Sequence, residues 1–178
     1  MKHRTVNDLI KSSLFLALAI VFQVVGKSFP GISQLFVGPA VNAILILTAV
    51  ICGGTYGLLI GFLTPLLAFL TGQLASALGP FIPFIIAGNI LFVLSFIILS
   101  KRGKYGKYLG IIIGAFIKYI FLSISASKLI PLFELNIPTK IINKLAITMG
   151  IPQLITALIG GFFALIIISL LKKRKVLI

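Results

Sequence analysis

Very few side chains in this sequence of 178 residues are suited to acid–base, nucleophilic or metal chemistry. There are two acids, Asp8 and Glu134, one histidine, His3, and one cysteine, Cys52. Carboxylate pairs, His/Cys metal clusters and disulfides each need more such residues than this. We therefore expect no catalytic site, no metal site and no cofactor.

The elements that must position the remaining polar side chains are membrane helices. Hydrophobic residues make up 60% of the chain and charged residues 10%, with a mean hydropathy of +1.23, whereas soluble domains are about half apolar and a quarter charged. The basic residues that give the net charge of +14 lie between apolar runs. This placement therefore favours contact with anionic lipid and argues against nucleic acid as a partner.

The apolar runs predict an all-α integral membrane protein whose single domain covers residues 1–178. A spanning helix needs about 20 apolar residues, and six such runs fill the chain. Lys and Arg are concentrated near both termini and at 101–107, the excess that cytoplasmic loops carry, so both termini are predicted to be cytoplasmic. The spans are predicted near 9–26, 35–53, 55–73, 80–100, 108–131 and 147–171.

Amide side chains are concentrated in the half of the bundle that this topology puts outside. Amides in hydrocarbon are unfavourable without hydrogen bonds, so several at one depth suggest a wet or ligand-filled cavity. The alternative, in which each amide bonds a neighbouring helix, stays open. The outer amides are Gln23, Gln34, Asn42, Gln73, Asn89, Asn136, Asn143 and Gln153.

Lys118 lies about ten residues into the fifth predicted span, a depth of about 15 Å or half the hydrocarbon thickness. A lysine stem reaches roughly 6 Å toward an interface, so from this depth the amine of Lys118 cannot reach the membrane surface. We expect Lys118 to face a polar cavity in which an anionic ligand supplies the counter-ion. A deprotonated or carbonyl-bonded lysine is the alternative.

The loop after the first predicted span contains a short phosphate-loop resemblance. Gly26-Lys27-Ser28 lacks the first glycine of such a loop because Val21 stands in its place, so no ATP site is predicted. The segment 26–34 instead surrounds Phe29 with turn formers, the composition of a lid.

Two small-residue segments add to this pattern: Ser12-Ser13-Leu14-Phe15-Leu16-Ala17-Leu18-Ala19 in the first span and the glycine-rich 53–61 in the third. With the chain length, the six spans and the internal termini, they make the whole chain resemble the substrate-capture subunit (S component) of energy-coupling factor (ECF) transporters. The resemblance implies a multi-pass protein of a prokaryotic plasma membrane that binds a vitamin or related micronutrient. It also implies docking through Ser13, Ala17 and Ala19 to a membrane scaffold subunit that works with two ATPase subunits.

The predicted function is therefore substrate capture near the extracellular face for an ATP-driven importer, with no enzymatic activity in this chain. A self-sufficient secondary carrier, which would normally need ion-coordinating acids, and a non-transport assembly protein are the alternatives. The predicted substrate-binding residues are Asn89 and Gln153 for hydrogen bonds, Lys118 or Lys128 for an anion, Gln34, Asn42 and Gln73 in support, and Phe29 and Phe81 as lid or stacking groups.

Overall fold

The computed structural model describes residues 2–29, 33–130 and 139–174, and all regular elements in these ranges are helical. This confirms the all-α prediction. The elements are α1 (Lys2–Lys27), α2 (Ser33–Ile51), α3 (Gly54–Leu70), a 3₁₀ helix (Ser76–Phe81) that leads into α4 (Ile82–Leu99), α5 (Gly106–Ile124) with a following π-helical turn (Ser125–Leu129), α6 (Thr139–Thr148) and α7 (Ile151–Lys173).

Each of the six predicted apolar segments forms a helix. Among the described residues, α3 is shorter than a usual span at 17 residues, whereas five segments have the length and composition to cross a membrane. Six crossings and cytoplasmic termini therefore stay predictions. The five segments are Thr5–Lys27, Ser33–Ile51, Ser76–Leu99, Gly106–Lys128 and Ile151–Lys173.

A tight turn returns the chain from α2 to α3. Only Cys52 and Gly53 separate the two helices, and Gly53 has a φ of 106°, a backbone conformation that side chains with a Cβ rarely adopt. The turn lies where the apolar run from the second to the third predicted span is too long for one crossing.

Two buried clusters hold the helices together. The larger includes Leu45 of α2, Phe92 of α4 and Ile111 of α5, all fully buried. The smaller joins α5 and α6 through Leu122 and Leu145. Between membrane helices such clusters act through close van der Waals packing, because lipid tails are as apolar as these side chains. The two clusters fix the helices that carry the polar groups described below.

The backbones of α2 and α7 touch directly. A Cβ on Gly160 would overlap the carbonyl oxygen of Pro39 and lie 2.7 Å from the Cβ of Asn42. A Cβ on Gly38 would lie 2.9 Å from the Cβ of Thr156. Glycine at 38 and 160 therefore permits an approach that any larger residue would prevent.

The stretch between the fifth and sixth predicted spans contains α6, and the last helix begins at Ile151 rather than near 147. Residues 30–32 and 131–138 lie outside the described residues, and these include Glu134 and Asn136. The predicted lid at 26–34 is thus described only at its ends, where α1 finishes at Lys27 and α2 begins at Ser33.

Candidate functional site

A cavity of about 520 Å³ lies at the end of the bundle where α1, α3 and α5 finish and α2, α4 and α7 begin. This volume is typical of small-molecule sites. In the described part of the chain its wall contains apolar side chains, amides, hydroxyls and the amine of a lysine, but no carboxylate. The polar wall residues are Gln23, Ser33, Gln34, Asn42, Thr64, Gln73, Asn89, Lys118, Thr148 and Gln153.

Lys118 joins three helices in this wall. It is 3% exposed, and its Nζ donates hydrogen bonds to Oδ1 of Asn42 at 2.7 Å and to Oδ1 of Asn89 at 2.8 Å. The same nitrogen lies 5.6 Å from the centre of the Phe92 ring. An ammonium group has three N–H bonds. The two amide oxygens accept two of them, so the protonated form of Lys118 has one N–H left for a molecule in the cavity.

Close packing of α5 on α4 brings Lys118 to Asn89. A Cβ on Gly114 would lie 3.0 Å from the carbonyl oxygen of Phe92, so glycine at this position allows the two backbones to approach. Lys118 follows Gly114 by one helical turn and therefore projects from the same face of α5.

The orientation of Asn89 depends on a proline in the neighbouring helix. Pro65 lies inside α3 and has no N–H to donate to the carbonyl of Gly61, the residue four positions earlier. Asn89 Nδ2 donates to that carbonyl oxygen at 3.2 Å. With its NH₂ group held there, the amide presents Oδ1 to Lys118.

Gln23 and Thr64 form a second polar group on the wall between α1 and α3. Gln23 Nε2 donates to the carbonyl oxygen of Thr64 at 3.0 Å. The other polar atoms of these two side chains, Gln23 Oε1 and Thr64 Oγ1, are buried and have no hydrogen-bond partner in the part of the chain that the structure describes. Such atoms are rare in folded proteins and call for an explanation.

Helix α6 completes the wall on the side of α2 and α7. Gln34 Nε2 donates to the carbonyl oxygen of Thr148, and Gln153 Nε2 lies 3.5 Å from the sulfur of Met149. Ile141 also lines the cavity. These contacts attach the end of α6 and the turn that follows it to the first turns of α2 and α7.

Most of the predicted site residues come together, but three do not line the cavity. Phe29 is 58% exposed beyond the end of α1, and Lys128 is exposed in the π-helical turn. Phe81 is fully buried in the smaller core cluster, where its ring stacks on Phe84. The predicted residues that line the cavity are Asn89, Gln153, Lys118, Gln34, Asn42 and Gln73.

The predicted set did not include Gln23, Thr64 or the residues of α6. Gln23 carried a signal, because it belongs to the outer group of amides. Ile141, Leu145 and Thr148 recur at helical spacing, which also predicts a face of a helix. Thr64 carried no signal in the sequence, because threonines in apolar helices commonly bond their own backbone.

The predicted docking residues divide between two faces of α1. Ser13 and Ala17 are exposed, whereas Ala19 is fully buried in the larger core cluster. Ala19 therefore does not share the exposed face of α1 with Ser13 and Ala17.

A family model described as "ECF transporter, substrate-specific component" matches residues 7–172. No curated protein and no solved structure matches the chain. Because the match covers nearly all 178 residues, the chain belongs to the family of ECF transporter substrate-specific components. It is a substrate-binding subunit of a membrane transporter and not an enzyme, and its family implies association with scaffold and ATPase subunits.

Proposed function

We propose that this chain captures an anionic micronutrient, such as a vitamin with a carboxylate or phosphate group, in the cavity around Lys118. The observation that carries the proposal is the buried amine of Lys118, whose protonated form has two amide oxygens as partners and one N–H left. Within the described residues the cavity wall offers this charge no carboxylate.

The electrostatics of the wall favour an anion. Burying an unpaired charge is unfavourable, and neutral amides compensate it only in part. A carboxylate or phosphate oxygen would complete the hydrogen bonding of Lys118 and neutralise its charge, whereas a cation would be repelled. Gln73 and Gln153, which also line the cavity, would then bond the uncharged part of the molecule.

The cavity would open to the extracellular side. It lies at the end of the bundle opposite the connection from α4 to α5, which carries Lys101, Arg102 and Lys104, and opposite the end of α7 at Lys173. Lys and Arg are enriched in cytoplasmic segments, which supports this orientation and cytoplasmic termini. In this arrangement the single domain of residues 1–178 crosses six times, and α3, about 26 Å long, is accommodated by local thinning of the bilayer.

The exposed side of α1 would dock the transporter's scaffold subunit, which in turn carries two ATPase subunits. Ser13 and Ala17 lie there beside the exposed apolar residues Ile10, Leu14 and Val21. Small residues four apart allow a second helix to approach closely. ATP would then act only on the partner subunits, in a prokaryotic plasma membrane.

The test is to identify the bound molecule and then to weaken its binding by substitution. Native mass spectrometry of protein purified in mild detergent, without ATP, is expected to detect a co-purified small acid. Calorimetry with that acid should give an affinity loss of about 2–5 kcal/mol for Lys118→Met, because the change removes one side of a buried charge pair. The matched control is Lys128→Met, which alters an exposed lysine and should have little effect. Equal, small effects at both positions would contradict the proposal.

A further inference from the structure

Two side chains that line the cavity each have a buried polar atom without a hydrogen-bond partner among the described residues. Gln23 and Thr64 are 3% and 2% exposed, and both residues line the cavity. Among the described residues, Gln23 Oε1 and Thr64 Oγ1 are the buried side-chain atoms that lack a hydrogen bond. They belong to neighbouring side chains, since Gln23 Nε2 bonds the Thr64 carbonyl. The unsatisfied hydrogen-bonding capacity of Gln23 and Thr64 is therefore concentrated at one place between α1 and α3.

The hydrogen-bonding character of this place follows from the groups already bonded. The Gln23 NH₂ group donates to a carbonyl oxygen, so the atom left over is an acceptor. Thr48 and Thr71 each donate their hydroxyl to the carbonyl four residues earlier, at 2.8 Å, but Thr64 does not. The Thr64 hydroxyl can therefore donate or accept. The pair is complementary to a hydroxyl or amide group, which has both a hydrogen to give and a lone pair to receive.

Helix α3 relates this pair to Lys118. The carbonyl of Gly61 holds Asn89, which in turn accepts from Lys118. Thr64 follows Gly61 by three residues, a rise of about 4.5 Å along the same helix. The carbonyl that orients Asn89, and through it Lys118, is therefore separated from Thr64 by roughly one helical turn along α3.

We propose that Gln23 and Thr64 form a second subsite that binds a hydroxyl, amide or ureido group of the transported acid. The substrate class is then a small acid with an N–H or O–H donor on the part of the molecule away from its anionic group. This inference rests on the proposed function, because it needs the anionic group to lie at Lys118.

The experiment offers the purified full chain an equimolar mixture of six compounds and detects retained compounds by native mass spectrometry. Biotin and pantothenate are acids with N–H or O–H donors, whereas lipoate and octanoate are acids without such donors. Biotin and lipoate form the sharpest pair, because both have a pentanoate arm on a five-membered ring and only biotin has ureido N–H groups. Thiamine and riboflavin serve as compounds without a carboxylate.

The variant Thr64→Val removes the unpartnered hydroxyl and keeps the shape of the side chain. Affinity for biotin or pantothenate, whichever is retained, should fall about three- to tenfold, because one hydrogen bond is lost. The melting temperature of the empty protein should stay the same or rise. Thr64→Ser restores the hydroxyl and should restore affinity.

The matched control is Thr48→Val, which removes a bonded, buried hydroxyl that does not line the cavity. It should lower the melting temperature and leave affinity unchanged.

Retention of biotin or pantothenate in preference to lipoate and octanoate, with the loss in Thr64→Val, supports the subsite. If the four acids bind equally well, or if Thr64→Val binds as the unmodified chain does, the subsite is wrong and the anion proposal stands. Retention of only thiamine or riboflavin would overturn the anion proposal and the subsite together.

Discussion

Asn89 makes the hydrogen bond that Pro65 leaves open. The proline interrupts the backbone bonding of α3 at the carbonyl of Gly61, and the Asn89 side chain donates to that oxygen at 3.2 Å. The same amide accepts from Lys118 at 2.8 Å. A missing backbone N–H in α3 thus orients one of the two amides that hold Lys118.

The first prediction replaces this proline. Pro65→Ala supplies a backbone N–H that competes with Asn89 for the Gly61 carbonyl. Affinity for the co-purified acid, measured by calorimetry, should fall by about 1 kcal/mol because Lys118 loses its fixed partner, while the melting temperature should not fall. Pro39→Ala makes the same change in α2 and should leave affinity unaltered. Equal effects of the two substitutions would show that Pro65 does not position Asn89.

The second prediction gives Lys118 an internal counter-ion. Asn42→Asp keeps the size of the side chain and places a carboxylate beside Nζ, at the present distance of 2.7 Å. The melting temperature of the empty protein should rise, and affinity for the acid should fall by at least about tenfold because the new charge repels it. Asn143→Asp, at an exposed position of α6, is the control. Unchanged or tighter binding in Asn42→Asp would rule out an anion at Lys118.

The third prediction concerns the exposed side of α1. Ala17→Trp should block co-purification with the scaffold subunit, because a large side chain prevents close approach of two helices. Calorimetry should show affinity for the acid within about a factor of two of the unmodified chain, since α1 contacts the cavity from its opposite side. Ile166→Trp alters an exposed position of α7 and should leave the complex intact. Normal assembly of Ala17→Trp would mean that docking uses another surface.

The fourth prediction separates a capture subunit from a secondary carrier. The chain alone in liposomes should bind the acid but should not accumulate it under a proton or sodium gradient. The reason is that the described cavity wall has no carboxylate to coordinate a coupling ion. Uptake of the labelled acid measures this directly, and concentrative uptake by the chain alone would identify a self-sufficient carrier.

The sequence predicted the helices better than the faces they present. Long apolar runs placed the six main helices, and the depth of Lys118 indicated its burial. Phe81 shows the limit, because an aromatic residue beside a loop fits a cavity and a core equally well. In the structure a 3₁₀ helix places Phe81 in the smaller cluster. Thr64 shows a second limit, since its missing backbone bond depends on the tertiary structure around α3.

The contact between α2 and α7 also has a consequence for motion. Gly38 and Gly160 allow these helices to pack backbone to backbone beside Asn42, so a shift of either helix toward the other would create direct overlap. Fluctuations that admit a molecule should therefore occur in α6 and in the segment 71–75, which lie around the other parts of the cavity. In hydrogen–deuterium exchange, amides of α2 and α7 near this contact should exchange slowly, and those of α6 should exchange faster. One side of the cavity is then rigid and the opposite side fluctuates. The fluctuating side controls the entry of the transported molecule.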